Sequence, residues 1–152
     1  PSEDYPDRGG PTKGGITLDA LRHWRNAPKT SPQELQKLNR NEALAIIRRR
    51  YVQVNGIEQL EGLPVLEQVV DNSVLSGPYL SVCDLQKALG VTVDGIIGPQ
   101  TRGAVEAQGD TVGRKLVAAR ALRIVSFVQS HPKQLMFLKG WMRRVLGFLR
   151  EA

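Results

Sequence analysis

Almost every apolar stretch in this chain repeats with a helical period and stops at a glycine or a proline. Leu18, Leu21 and Trp24 recur at helical spacing behind Thr17, which can accept from the first free amides as an N-cap. The spacing predicts a helix to about Asn26 with Trp24 in the core. Ser31-Pro32-Gln33-Glu34 is a start signal, with Ser as cap, Pro at the first helical position and Glu three residues on. It opens a short helix to about Leu38. A third helix follows Asn39 or Asn41 to about Val52, and Asn55-Gly56 reads as its C-cap. Pro64 opens an apolar helix to about Leu75 in which Leu66, Val69, Val70 and Val74 form the buried stripe. Asp71 and Asn72 fall inside that helix and need internal partners. Ser76-Gly77-Pro78 breaks it, and the next helix runs from about Tyr79 to Leu89, ending at Gly90. Asp110-Thr111 caps a long helix over about Val112 to Ser130, and Pro132 separates it from a final one with Leu135, Leu138, Met142, Val145 and Leu149 on its apolar face. No convincing strand appears; at most Val91–Val93 and Ile96–Ile97 make a small hairpin. The expected class is all-α.

The most specific string is Leu85-Gln86-Lys87-Ala88-Leu89-Gly90-Val91-Thr92-Val93-Asp94-Gly95-Ile96-Ile97-Gly98-Pro99-Gln100-Thr101. Asp94-Gly95 makes a tight turn in which Gly is free to take a positive φ. Val93 and Ile96 flank the turn and are expected to pin it to the core. Gly98-Pro99 opens another helix.

A second stretch stands apart. Asp4 to Thr17 packs glycines, prolines, aspartates and cations ahead of the first helix. Such a segment is either a loop that presents functional groups or an N-terminal tail. Within it, Pro6-Asp7-Arg8-Gly9-Gly10-Pro11-Thr12-Lys13-Gly14-Gly15-Ile16-Thr17 resembles the signature loop of the glycoside hydrolase 108 family, the phage and bacterial muramidases also described as endolysins and "secretion activator" proteins. Two further blocks resemble the same family in the same order. Asp71-Asn72-Ser73-Val74-Leu75-Ser76-Gly77-Pro78 matches an Asp-x-Ala-Val-Asn-x-Gly-Pro stretch, with Leu75 in place of Asn. Phe137-Leu138-Lys139-Gly140-Trp141-Met142-Arg143-Arg144-Val145 matches a closing Phe-Leu-x-Gly-Trp-x-x-Arg-Val, where Gly140 would permit close packing beneath Trp141. The Leu85–Thr101 string is similar to a peptidoglycan-binding repeat.

The resemblance implies a lysozyme-like helical architecture with a long N-terminal loop. A muramidase-like region would cover residues 1–77, and a peptidoglycan-binding-like region 78–152 would pack onto it. It implies an N-acetylmuramidase cleaving the β-1,4 bond of wall glycan. Glycosidic cleavage needs a carboxylic acid of raised pKa to protonate the leaving oxygen and a second carboxylate or a held water. The family's acid, in a Glu-Gly-Gly segment, is expected upstream of Pro1. Among the residues present, Asp7 is the first candidate for the second carboxylate or a clamp on the loop, Thr12 for orienting water or substrate, and Glu3 a weaker candidate for the acid. Gly9, Gly10 and Lys13 would contact glycan, with Tyr51, Asp71 and Asn72 as candidates on an opposite wall or as structural residues. Asp94, Gly95, Gly98, Pro99 and Thr101 form the wall-binding motif, or a staple that only packs. The alternative function is a non-catalytic wall-binding or export-assisting protein.

Composition removes other chemistries. The single cysteine, Cys83, rules out an internal disulfide, and with Leu80 in a helical pattern it reads as a buried structural thiol. His23 and His131 lack carboxylates at ligand spacing, so no metal or other cofactor is expected. The chain of 152 residues carries net charge +6. From Asp110 onward nine Lys and Arg face two acids, an imbalance that suits a polyanion. Aromatics are scarce and no nucleic-acid motif accompanies the charge, so peptidoglycan rather than nucleic acid is the expected partner. The last helix, with cations flanking Leu, Phe and Trp, also fits a membrane surface. No stretch is apolar enough to span a membrane, and no signal peptide is visible. A bacterial or phage protein made in the cytoplasm and acting on the wall, its export assisted by a holin, is the expectation.

Overall fold

The computed structural model describes residues 12–13 and 15–150. The chain divides into two compact units, one ending at Arg50 and the other starting at Tyr51.

In the first unit, β1 (Thr12–Lys13) pairs antiparallel with β2 (Ile16–Thr17), Thr12 opposite Thr17 and Lys13 opposite Ile16. Gly15 supplies the left-handed φ of +81° that this turn needs. Thr17 then caps α1 (Leu18–Arg25), its Oγ1 accepting from Ala20 N at 3.0 Å. The helix stops at Asn26, which adopts the left-handed conformation. α2 (Pro32–Gln36) begins with the full capping box: Ser31 N donates to Glu34 Oε2 at 2.7 Å and Glu34 N to Ser31 Oγ at 3.2 Å. Asn39 Oδ1 accepts from Glu42 N at 2.8 Å at the start of α3 (Arg40–Tyr51). Ile16, Leu18, Ala20, Leu21, Leu35, Leu38 and Ile46 form the core. Trp24 is not in it. It lies 37 % exposed, because Leu18, Ala20 and Leu21 take the inward face of a helix only eight residues long.

The second unit is built on α4 (Leu66–Ser76), α5 (Pro78–Leu89), α6 (Pro99–Gln108), α7 (Thr111–Ser130) and α8 (Leu135–Gly147), with a 3₁₀ turn at Ile57–Leu60. Ile57, Leu60, Val65, Val69, Val82, Leu85, Leu89, Ile97, Val105, Val112 and Leu116 form one core. A smaller cluster joins Val117 and Ile124 of α7 to Val145 of α8, with Trp141 and Met142 packed against it. Val74 is exposed, so the buried stripe of α4 is narrower than its apolar composition suggests. Asn55 and Gly56 do not cap α3, which ends at Tyr51. Both residues take positive φ in a turn that leads into the 3₁₀ segment.

The hairpin expected at 91–97 is absent, and the described strand pair is the one at 12–17. Gln86 is the reason. Its Oε1 accepts from Asp94 N (3.0 Å) and Gly95 N (2.9 Å), groups that a partner strand would otherwise engage. Its Nε2 donates to Asp94 Oδ1, Ile96 O and Thr101 Oγ1 at 2.8–3.2 Å. The segment is thus folded around one buried amide. Gly95 takes φ +80° as the turn requires. Val93 and Ile96, expected to pin the turn, are exposed instead, and Ile97 is the side chain that enters the core. Among the described residues no helix is long and apolar enough to cross a membrane.

Candidate functional site

Of the loop candidates, Glu3, Asp7, Gly9 and Gly10 lie outside the described residues. Thr12 is placed by its backbone in β1, so the signature loop runs into a hairpin before the first helix. Lys13, the next residue of β1, donates from Nζ to the carbonyl of Gln36.

Asp71 and Asn72 meet the requirement for internal partners. Asp71 Oδ2 accepts from Arg120 Nη2 and its Oδ1 from Arg144 Nε, both at 2.7 Å. Arg120 is fully buried, and its side chain also reaches Gln68 Oε1 at 3.4 Å and stands 5.5 Å over the Phe148 ring. Burial lowers the Arg120 pKa, and the Asp71 carboxylate opposes that fall. Asn72 is 1 % exposed and donates from Nδ2 to Asp84 Oδ2 at 2.8 Å. Asp84, equally buried, accepts from Arg123 Nε at 2.8–3.0 Å, while Arg123 Nη2 donates to Ser76 Oγ (2.6 Å) and Asn72 Oδ1 (3.3 Å). Two carboxylates and three arginines from four helices make a network of two hydrogen-bonded groups, Gln68–Arg120–Asp71–Arg144 and Asn72–Asp84–Arg123–Ser76. Tyr51, the last residue of α3, is half-buried.

The wall-binding motif is equally specific in its internal bonds. Asp94 is held low in pKa by the Gln86 amide and by Ile96 N, which donates to its Oδ1 at 3.0 Å. Thr101 is buried against Gln86, and Gly98-Pro99 begins α6. Glu34 and Glu42 are also pushed down in pKa, Glu34 by Ser31 and Glu42 by the Arg25 guanidinium. A general acid needs the opposite shift, so none of these three carboxylates suits that role. Among the described residues no cluster of His, Cys, Asp or Glu could hold a metal ion.

A small cavity of about 260 Å³ opens beside the network, between the end of α4, the start of α5, α7 and α8. Leu75, the residue standing where the resembling pattern has Asn, is on its wall with Arg123 and Trp141.

The glycosyl hydrolase 108 family model matches residues 2–77. A second family, described as a predicted peptidoglycan domain, matches residues 81–146. A solved structure, SagA of Brucella abortus, is 34% identical over 95% of this chain and 81% of that one, with a TM-score of 0.77. The chain belongs to the glycosyl hydrolase 108 family. Comparison with curated proteins gives no match.

As a glycosyl hydrolase 108 member the chain has an all-α, lysozyme-like fold. Its two family matches point to a peptidoglycan hydrolase or binding function. Residues of the ionic network come from both matched segments: Asp71 and Asn72 from the first, Asp84, Arg120, Arg123 and Arg144 from the second. Sequence reasoning found the two α4 residues and missed the arginines. A signal was present: Arg120 stands in the same helical row as Leu116 and Ile124.

Proposed function

We propose that this chain is an N-acetylmuramidase that cleaves the β-1,4 bond of peptidoglycan by carboxylate acid/base catalysis. The observation that carries the reading is membership of the glycosyl hydrolase 108 family together with the peptidoglycan-domain match in one chain. The proposed acid is the Glu of the family's Glu-Gly-Gly segment, upstream of Pro1. Asp7 is proposed as second carboxylate or loop clamp, and Thr12 as the group that orients water. Such an acid would act in the periplasm or wall.

Charge supports a wall substrate. From Thr111 to Arg150 the sequence holds no acidic residue and nine Lys and Arg. Arg120 and Arg144 share Asp71, and Arg123 is paired with Asp84. The other cations of the segment add a positive field toward an anionic polymer, an effect that salt weakens.

The test is clearing of purified sacculi, with products examined for new reducing muramic-acid ends. It is run on this chain and on a form extended upstream through Glu-Gly-Gly. Clearing by the extended form, abolished by Glu→Gln in that segment, supports the reading. Sedimentation with sacculi without clearing by either form favours the wall-binding alternative. New reducing ends on glucosamine would replace the muramidase assignment with a glucosaminidase.

A further inference from the structure

The cavity beside Arg123 has a division of labour that the fold does not use. Arg123 is fixed by its Nε on Asp84 and by its Nη2 on Ser76 and Asn72. These bonds leave Nη1, which makes no hydrogen bond among the described residues and is not sealed from solvent. The guanidinium is therefore held rigid with one amine edge open, which suits a carbonyl or carboxylate oxygen. Around it the cavity presents Leu75, Leu80, Phe127 and Trp141, with Gln134 as a further polar group. Leu80 and Phe127 are each 41 % exposed, large apolar side chains left at an open mouth.

The ligand chemistry follows from what the wall offers and what it lacks. A pyranose ring brings several hydroxyls, each of which needs a partner when buried. Ser76 Oγ is already spent, donating to Asn72 Oδ1 and accepting from Arg123. Arg123 and Gln134 alone serve a sugar poorly. They serve well a small ligand with one carboxylate and an alkyl body. The volume also suits a short chain rather than a glycan strand.

We propose that this cavity binds the carboxylate end of a short alanine-ended peptide, as carried by the stems of peptidoglycan, with Arg123 Nη1 on the carboxylate and Leu75, Leu80, Phe127 and Trp141 around the methyl groups. The choice of a wall peptide as source rests on the peptidoglycan reading above. The site would let the protein sense the peptide of the wall separately from its glycan.

The experiment uses the Trp24→Phe form of this chain, in which Trp141 is the single tryptophan. Its emission is followed on titration with N-acetyl-D-alanyl-D-alanine, with the C-terminal amide of the same peptide, and with N-acetylglucosamine. The acid is expected to give a saturable change, and the amide to bind at least tenfold more weakly. Leu80→Asp places a like charge at the mouth without touching the ionic network and should weaken the acid at least tenfold with an unchanged circular dichroism spectrum. Arg123→Lys should do the same. Equal affinity for acid and amide, no effect of Leu80→Asp, a response only to the sugar, or no response to any of the three overturns the proposal. Sacculus clearing is read in parallel. Clearing by the upstream-extended form without peptide binding removes the peptide site alone, and peptide binding without clearing by the extended form removes the muramidase reading alone.

Discussion

Gly56 lies against the backbone of Ile97 so closely that a Cβ on it would stand 2.2 Å from the Ile97 carbonyl oxygen. The contact is reinforced on either side: Ile97 N donates to Asn55 O at 2.8 Å, and Asn55 Nδ2 donates to Gly95 O at 2.8 Å. Two turns some forty residues apart are thereby clamped backbone to backbone. Gly56→Ala should cost about 2–4 kcal/mol, from left-handed strain plus a collision with atoms that cannot rotate away. Gly62→Ala is the control. Its φ is +83° but open space surrounds it, so only the strain of about 1–2 kcal/mol applies. Urea midpoints of the two variants separate the terms.

Asp71 and its arginines give an asymmetric expectation. Asp71→Ala strands the fully buried Arg120 and should cost about 3–5 kcal/mol in urea unfolding. Arg144→Ala removes a partner that is 46% exposed and should cost under about 1 kcal/mol. If both variants lose the same amount, the burial of Arg120 is not what makes the network costly to break.

Gln86 organises the 94–101 segment through five hydrogen bonds. Gln86→Ala leaves buried amides and hydroxyls without partners and should cost about 2–4 kcal/mol. Amide exchange should rise first at Asp94 and Gly95, whose N–H groups lose their acceptor.

Acid should weaken the fold in a defined window. Asp94, Glu34 and Glu42 all have folded pKa values below their ordinary ones, Asp94 through Gln86, Glu34 through Ser31 and Glu42 through Arg25. A depressed carboxylate contributes stability above its unfolded value of about 4 and loses it as pH falls through the folded one. Urea midpoints should therefore be flat from neutrality to about pH 5 and drop below about pH 4. Asp94→Asn should make that drop shallower, because the group no longer titrates.

Gly140 offers a gain. Apart from its chain neighbours and the nearby backbone of its own helix, no atom among the described residues lies within 4 Å of where its Cβ would be, and the residue is exposed in α8. The close packing expected beneath Trp141 is absent. Gly140→Ala should raise stability by about 1 kcal/mol through helix propensity, measured as a higher melting temperature.

The helices were legible because their ends are written locally: Thr17, Ser31-Glu34 and Gly90 each satisfy orphan backbone groups within a few residues. The partners of Asp71 and Asn72 were legible as a need and not as identities, because Arg120 lies 49 residues from Asp71 and Arg144 lies 73. The anchor of the 94–95 turn is hidden from the sequence for a related reason. A loop has no period, so nothing in Ile96-Ile97 tells which side chain turns inward; Ile97 does so because Asn55 holds its amide. Spacing alone puts Trp24 in the core, but its helix is too short to bury a third row.

The network has a bearing on how such a chain can be inherited. Each arginine of α7 and α8 in it balances a carboxylate reached across the fold, and Asp71 belongs to one matched family segment while Arg120 and Arg144 belong to the other. A cut at Gly77-Pro78 would leave the positive charge of Arg120 in one product and its counter-charge in the other. The segments are distinguishable as text and inseparable as matter: shuffling either onto a foreign partner would part Asp71 from both Arg120 and Arg144, so the pair should travel through evolution as one heritable piece.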